Sequence, residues 1–111
     1  MQLGAGSASQ VAAQFAGYPG CGLFFPAANT VAEATAGVER WRLDANGYLG
    51  LGTTAPSGLL DINDNRLRVR AAKTPASAAA SGNAGEICWD ASYVYTCVAT
   101  NTWKRAALTT W

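Results

Sequence analysis

The sequence predicts an all-β protein built of short strands and hairpins that several copies of the chain complete together. Three observations carry that expectation. Turn dipeptides and prolines interrupt the chain every few residues, so only short elements fit between them. Leu, Ile, Val and Phe together make up about 18% of the residues, near the floor for folded proteins. Ala fills roughly a fifth of the chain, and its burial contributes little, since each CH₂ is worth about 0.8 kcal/mol. One copy of 111 residues therefore has a thin core and recruits the surfaces of its neighbours. Disorder does not fit, because only 14% of residues are charged and four Trp, four Tyr and three Phe are present.

The formal net charge is +1, which leaves no electrostatic footprint for nucleic acid. No apolar run approaches the ~18 residues of a membrane helix, so no membrane insertion is expected. The start, Met1-Gln2-Leu3-Gly4, has neither the basic nor the apolar region of a secretory signal. Three cysteines, Cys21, Cys88 and Cys97, are odd in number and widely spaced. That pattern fits neither a disulfide framework nor a zinc site, and packed, reduced thiols are the expectation.

Residues 1–20 read as a leader or attachment segment. Ser9 can cap a short Ala-rich helix through Val11 and Phe15, stopped by Gly17 and Pro19-Gly20. Two turns are too few to stand alone, so Val11 and Phe15 are candidates for docking on neighbouring copies or an adjacent structure; a disordered tail is the alternative. Residues 21–72 read as a β-rich segment. Gly22-Leu23-Phe24-Phe25 and Thr30-Val31-Ala32 are short strand candidates. Val38–Leu43 and Tyr48–Leu51 flank Asn46-Gly47, which predicts a type I′ hairpin. Glycines 47, 50 and 52 allow close backbone approach, as at a crowded symmetry axis. Arg66-Leu67-Arg68-Val69-Arg70 alternates with period two and predicts a half-buried strand with a solvated basic face.

Residues 73–85 hold no large apolar side chain and read as a linker. Residues 86–111 read as a C-terminal β-meander. Its strands are Glu86–Asp90, Tyr93–Ala99 and Thr102–Leu108, the second being the strongest in the chain. Trp89, Tyr93, Tyr95, Trp103 and Trp111 gather aromatic area here. They are either a surface that stacks on a cell-surface glycan or the core and subunit interface of a region with little else to bury.

The chain has no His, which removes the commonest general base and metal ligand. Its seven acids are scattered without a spaced pair. Asp61 to Asp64 lacks the ligand pattern of a calcium loop. Gly50-Leu51-Gly52 precedes no helix and so forms no phosphate loop. No catalytic residue, metal or cofactor is expected, and the chain reads as non-enzymatic.

Several stretches resemble a known family. Gly22-Leu23-Phe24-Phe25-Pro26-Ala27-Ala28-Asn29-Thr30 resembles the G-L-Y/F-x-P-A-x-N-T segment of phage tail-fibre proteins. Glu39-Arg40-Trp41-Arg42-Leu43-Asp44-Ala45-Asn46-Gly47 is similar to their E-R-M-R-I-D-x-x-G segment. Leu49-Gly50-Leu51-Gly52-Thr53-Thr54-Ala55-Pro56-Ser57, continued by Leu60-Asp61-Ile62, is similar to N-V-G-I-G-T-T-x-P-S followed by L-D-V. Ile87-Cys88-Trp89-Asp90 and Asn101-Thr102-Trp103-Lys104-Arg105 resemble a C-terminal module of phage virion proteins.

The resemblance implies an intertwined homotrimeric fibre made in the host cytoplasm and carried on the virion. Its N-terminal end would contact other virion proteins and its C-terminal end would face the host and its surface glycans. The chain is short and no self-cleaving chaperone domain follows Gly52-Thr53-Thr54. A short tail fibre or fibre tip engaged in host attachment is therefore the expected function. The alternatives are a head, collar or baseplate decoration without receptor binding, and a carbohydrate-binding module.

Overall fold

The computed structural model describes residues 3–14 and 16–111. Nine strands and no helix are present among these residues. The chain divides into two compact units, Met1–Arg66 and Leu67–Trp111.

The first unit is a six-stranded sheet in sequence order: β1 (Ala13–Gln14), β2 (Gly22–Phe24), β3 (Val31–Thr35), β4 (Val38–Leu43), β5 (Leu49–Leu51) and β6 (Leu60–Ile62). Neighbours pair antiparallel up to β5, and β6 runs parallel to β5. The expected N-terminal helix is replaced by a tight turn and a strand. Ser7 and Gln10 exchange backbone hydrogen bonds at 2.8 and 3.2 Å, and β1 then adds to the free edge of β2. The free edge of β2 offers alternate residues of an added strand hydrogen-bond partners, as where the Ala12 amide donates to Leu23 O at 2.8 Å, whereas an isolated two-turn helix is marginal in water.

The alternation of strand side chains sorts this sheet into two faces. One carries Phe24, Ala32 and Ala34, which with Val11 are the unit's buried core; Ala8 packs on it from the N-terminal segment. The small side chains of Ala32 and Ala34, both 0% exposed, let that irregular segment lie close. The other face carries two cross-strand rows. Leu23, Glu33, Trp41, Leu51 and Ile62 stand opposite one another in register, as do Val31, Leu43, Leu49 and Leu60. These rows are only partly covered: Val31, Trp41, Leu49 and Ile62 are half-buried, while Leu43 is 41% and Leu60 59% exposed. Glu33 sits among them as a partner, accepting a 2.6 Å hydrogen bond from the Trp41 indole.

Turn chemistry differs from the expectation in an instructive way. The β4–β5 hairpin forms, but Asn46 keeps a negative φ and only Gly47 turns left-handed, at φ 78°. Asp44 Oδ1 accepts from the amides of Asn46 and Tyr48, which holds a three-residue loop in place of the two-residue one. The two-residue turn with both positions left-handed lies instead at Ala36 (φ 52°) and Gly37 (φ 74°). The Gly37 amide donates to Gly20 O at 3.0 Å, so a tertiary hydrogen bond sustains a conformation Ala disfavours. The close approach expected at Gly50 is made by the chain itself, since a Cβ there would meet Thr53 and Pro56 at 3.0–3.2 Å.

The alternating stretch Arg66–Arg70 is not a strand. Leu67 is 77% and Val69 55% exposed, because no neighbouring strand offers this stretch a ladder. In the second unit, β7 (Ile87–Trp89), β8 (Tyr93–Ala99) and β9 (Thr102–Ala107) form the expected antiparallel meander. The cysteines are free thiols, and Cys97 is 0% exposed.

Gly22 lies in β2 at φ 145°, and a Cβ there would collide with the Ala13 carbonyl across the ladder. Gly22→Ala is expected to detach β1 and to lower stability by about 1–3 kcal/mol, read as a lower midpoint of chemical unfolding.

Candidate binding site

The second unit builds its site by laying irregular chain over one face of the meander. Tyr93, Tyr95 and Cys97 of β8 stand opposite Ala107, Arg105 and Trp103 of β9 and share that face, with Cys88 beside them. The stretch expected to be a linker packs on it. The Trp103 amide donates to Ala78 O at 2.8 Å, and its indole Nε1–H donates to Ala80 O at 3.0 Å. Gly82 donates to Asn101 Oδ1, while its carbonyl accepts from the Asn101 amide. A Cβ on Gly82 would stand 2.6 Å from the indole ring, so only glycine lets the strap pass. The segment needs no large side chain because its backbone carbonyls do the docking.

Asp90 ties the first hairpin to the strap. Its Oδ1 accepts from the amides of Ser92 and Tyr93 at 2.8 and 2.9 Å. Its Oδ2 accepts from the Thr74 hydroxyl at 2.7 Å and the Tyr95 hydroxyl at 2.6 Å. These donors, the Thr74 hydroxyl first, hold the Asp90 carboxyl far below the usual carboxylate range. The same bond to Asp90 raises the Tyr95 phenol above its ordinary value. Glu86 is lowered chiefly by the Asn83 amide it caps.

Two cations lie on aromatic rings. The Arg105 guanidinium carbon is 4.0 Å from the Tyr93 ring centroid. Lys73 Nζ is 5.3 Å from the Trp103 ring and 3.7 Å from Glu86. Between strap and sheet a cavity of about 310 Å³ opens, lined by Pro75, Ala76, Ser77, Ala78, Tyr95, Trp103, Lys104 and Arg105.

The structure divides the aromatic candidates. Tyr95 and Trp103 are core residues, 4% and 6% exposed. Tyr93 is half-buried and tilted against Tyr95 at 5.8 Å. Trp89 lies on the opposite face and is 37% exposed, its indole donating to Val69 O at 2.8 Å. Trp111 stands fully exposed, away from this cluster. Val11 is buried in the first unit's core and is not on a helix face offered to another protein; Phe15 lies outside the described residues. Sequence reasoning missed Arg105, Asp90 and the strap. Asp90-Ala-Ser-Tyr is an Asx-turn signature, and Arg105 is the position that falls opposite Tyr95 once the hairpin is registered. Among the described residues, no three His, Cys, Asp or Glu side chains gather as a metal cage.

These features define an all-β module with a strap on one face of its three-stranded sheet. The chain is similar to two phage proteins. Over 48 residues, 42% of this chain, it is 52% identical to depolymerase 1, capsule K30/K69-specific, of Klebsiella phage K5-2. Over 98% of its length it is 30% identical to the depolymerase, capsule K30/K69-specific, of Klebsiella phage K64-1. The chain spans only 6% and 15% of the lengths of these relatives. No family model and no solved structure matches. The similarities support a phage tail-related protein, a component of the virion. They also overturn the non-enzymatic expectation, since both relatives are named as depolymerases, which are enzymes.

The folded unit binds the Asp90 proton more weakly than an unfolded chain does, so this contribution is complete above about pH 4 and fades below it. Tyr95 holds its proton more tightly when folded, so its contribution is complete below about pH 10 and fades above. Near-UV circular dichroism against pH should show stability falling at both limits, with Asp90→Asn flattening both flanks. Gly82→Ala is expected to expel the strap, read as faster alkylation of Cys97.

Proposed function

We propose that this chain serves a capsule-degrading phage tail spike, holding three copies together and holding capsular polysaccharide at the host surface. The observation that carries this reading is the similarity along 98% of the chain to a capsule-specific depolymerase. Two physical features agree with it. The two apolar rows on the six-stranded sheet leave Leu23, Leu43, Leu51 and Leu60 exposed. A second face with Ile87 71% and Val98 47% exposed lies on the meander. Apolar faces of this kind are what subunit contacts bury. A trimer supplies through neighbours the interior that an Ala-rich chain lacks.

Capsule recognition falls to the second unit in this reading. Its strap leaves a cavity at the low end of the size range of small-ligand sites. A polysaccharide binds through many repeats, and three copies of one shallow site per spike multiply a weak contact by raising the effective concentration of the next. Weak single sites suit a spike that must move along its substrate.

Immobilised K30 and K69 capsular polysaccharide should retain the purified chain, and polysaccharide of an unrelated capsule type should not; equal retention on both defeats the capsule reading. Viscosity of the same polysaccharide, followed over time, reads depolymerisation by this chain. Sedimentation should give three times the protomer mass at micromolar concentration. Leu43→Glu with Leu60→Glu, at positions exposed in the protomer, should shift that species to monomer, because a carboxylate in a buried contact costs several kcal/mol. A wild-type chain that sediments as a folded monomer excludes the trimer.

A further inference from the structure

We infer that the cavity beneath the strap selects a sugar ring bearing a carboxylate, through the Arg105 guanidinium. This rests on the capsule-binding reading and names the ligand class for its site.

The aromatic surfaces that ordinarily stack on sugars are already taken. Trp103 is buried under the strap and lies beneath Lys73, and the Tyr93 ring is covered by Arg105 at 4.0 Å. Charge therefore carries recognition at this cavity. Arg105 takes part in no ion pair among the described residues. The two acids nearest in the hairpins are engaged elsewhere. Both oxygens of Asp90 are filled by four donors, and Glu86 caps Asn83 and faces Lys73.

The Arg105 guanidinium lies over the Tyr93 ring and beside the Tyr95 hydroxyl, and its five N–H groups leave donors for two parallel hydrogen bonds, the geometry a carboxylate accepts. Ser77 lies across the cavity. Its Oγ accepts from the Ala79 amide at 3.2 Å, which leaves the hydroxyl hydrogen for a ring oxygen of the ligand. Lys104 contributes to the wall, but it pairs with Thr96, and strand alternation sends its side chain to the face opposite Tyr95 and Trp103. The cation of this site is therefore Arg105.

The test uses glucuronate, glucose and acetate as matched probes, titrated into the whole chain while the Trp103 indole N–H is followed by NMR. Glucuronate should shift that signal and bind about tenfold more tightly than glucose, the ratio expected from one charge-assisted pair. Arg105→Gln should erase the difference, and Lys104→Gln should leave it intact. Equal binding of glucose and glucuronate overturns the proposal, as does acetate matching glucuronate, or Lys104→Gln acting like Arg105→Gln. No response to glucuronate from a chain that capsule still retains overturns the acidic-sugar site alone. Loss of capsule retention with the glucuronate site intact overturns the capsule reading alone.

Discussion

Everything in this fold follows from a shortage of bulk. Each sheet has one face that its own chain can cover, and the cover is a single irregular segment in place of a second layer of regular structure. Residues before β1 lie on Phe24, Ala32 and Ala34. The strap lies on Tyr95, Cys97 and Trp103. A segment without secondary structure must place its backbone polar groups somewhere. The Trp103 indole and the Asn101 amide supply partners for that purpose. The opposite faces keep large apolar side chains exposed, Leu60 and Ile87 among them.

The sequence made the strands of the C-terminal meander readable, since β-branched and aromatic residues in Tyr93–Ala99 leave no competing period. The hairpin at Asp44–Tyr48 was readable as a hairpin but not in its loop length, because the deciding bond comes from the Asp44 side chain. Arg66–Arg70 has perfect strand alternation and no strand, which shows that a pattern nominates a strand and only a neighbour makes one. The Ala-rich N-terminal stretch misled for the same reason in reverse. An available edge on β2 decided its state more than the propensity of its residues did.

The site was half visible. Aromatic enrichment in the last quarter pointed to the region where the strap packs, but it could not tell which rings face inward. That depends on register: Cys97 opposite Trp103 and Tyr95 opposite Arg105 put all four on one face. The strap was invisible because its interactions are made by carbonyl oxygens, which every residue has. The enzymatic character of the relatives was also beyond the residues read one by one, since this chain spans only 6% and 15% of those proteins.

The strap's dependence on main-chain atoms has a consequence for how this region can change over generations. Ala78, Ala80 and Gly82 contribute carbonyls at fixed places, and their side chains do little beyond staying small. Ala78 and Ala80 can exchange with Ser or Gly without loss of a docking bond, whereas position 82 has no room for even a methyl group, so one glycine and the smallness of its neighbours fix the path of the strap.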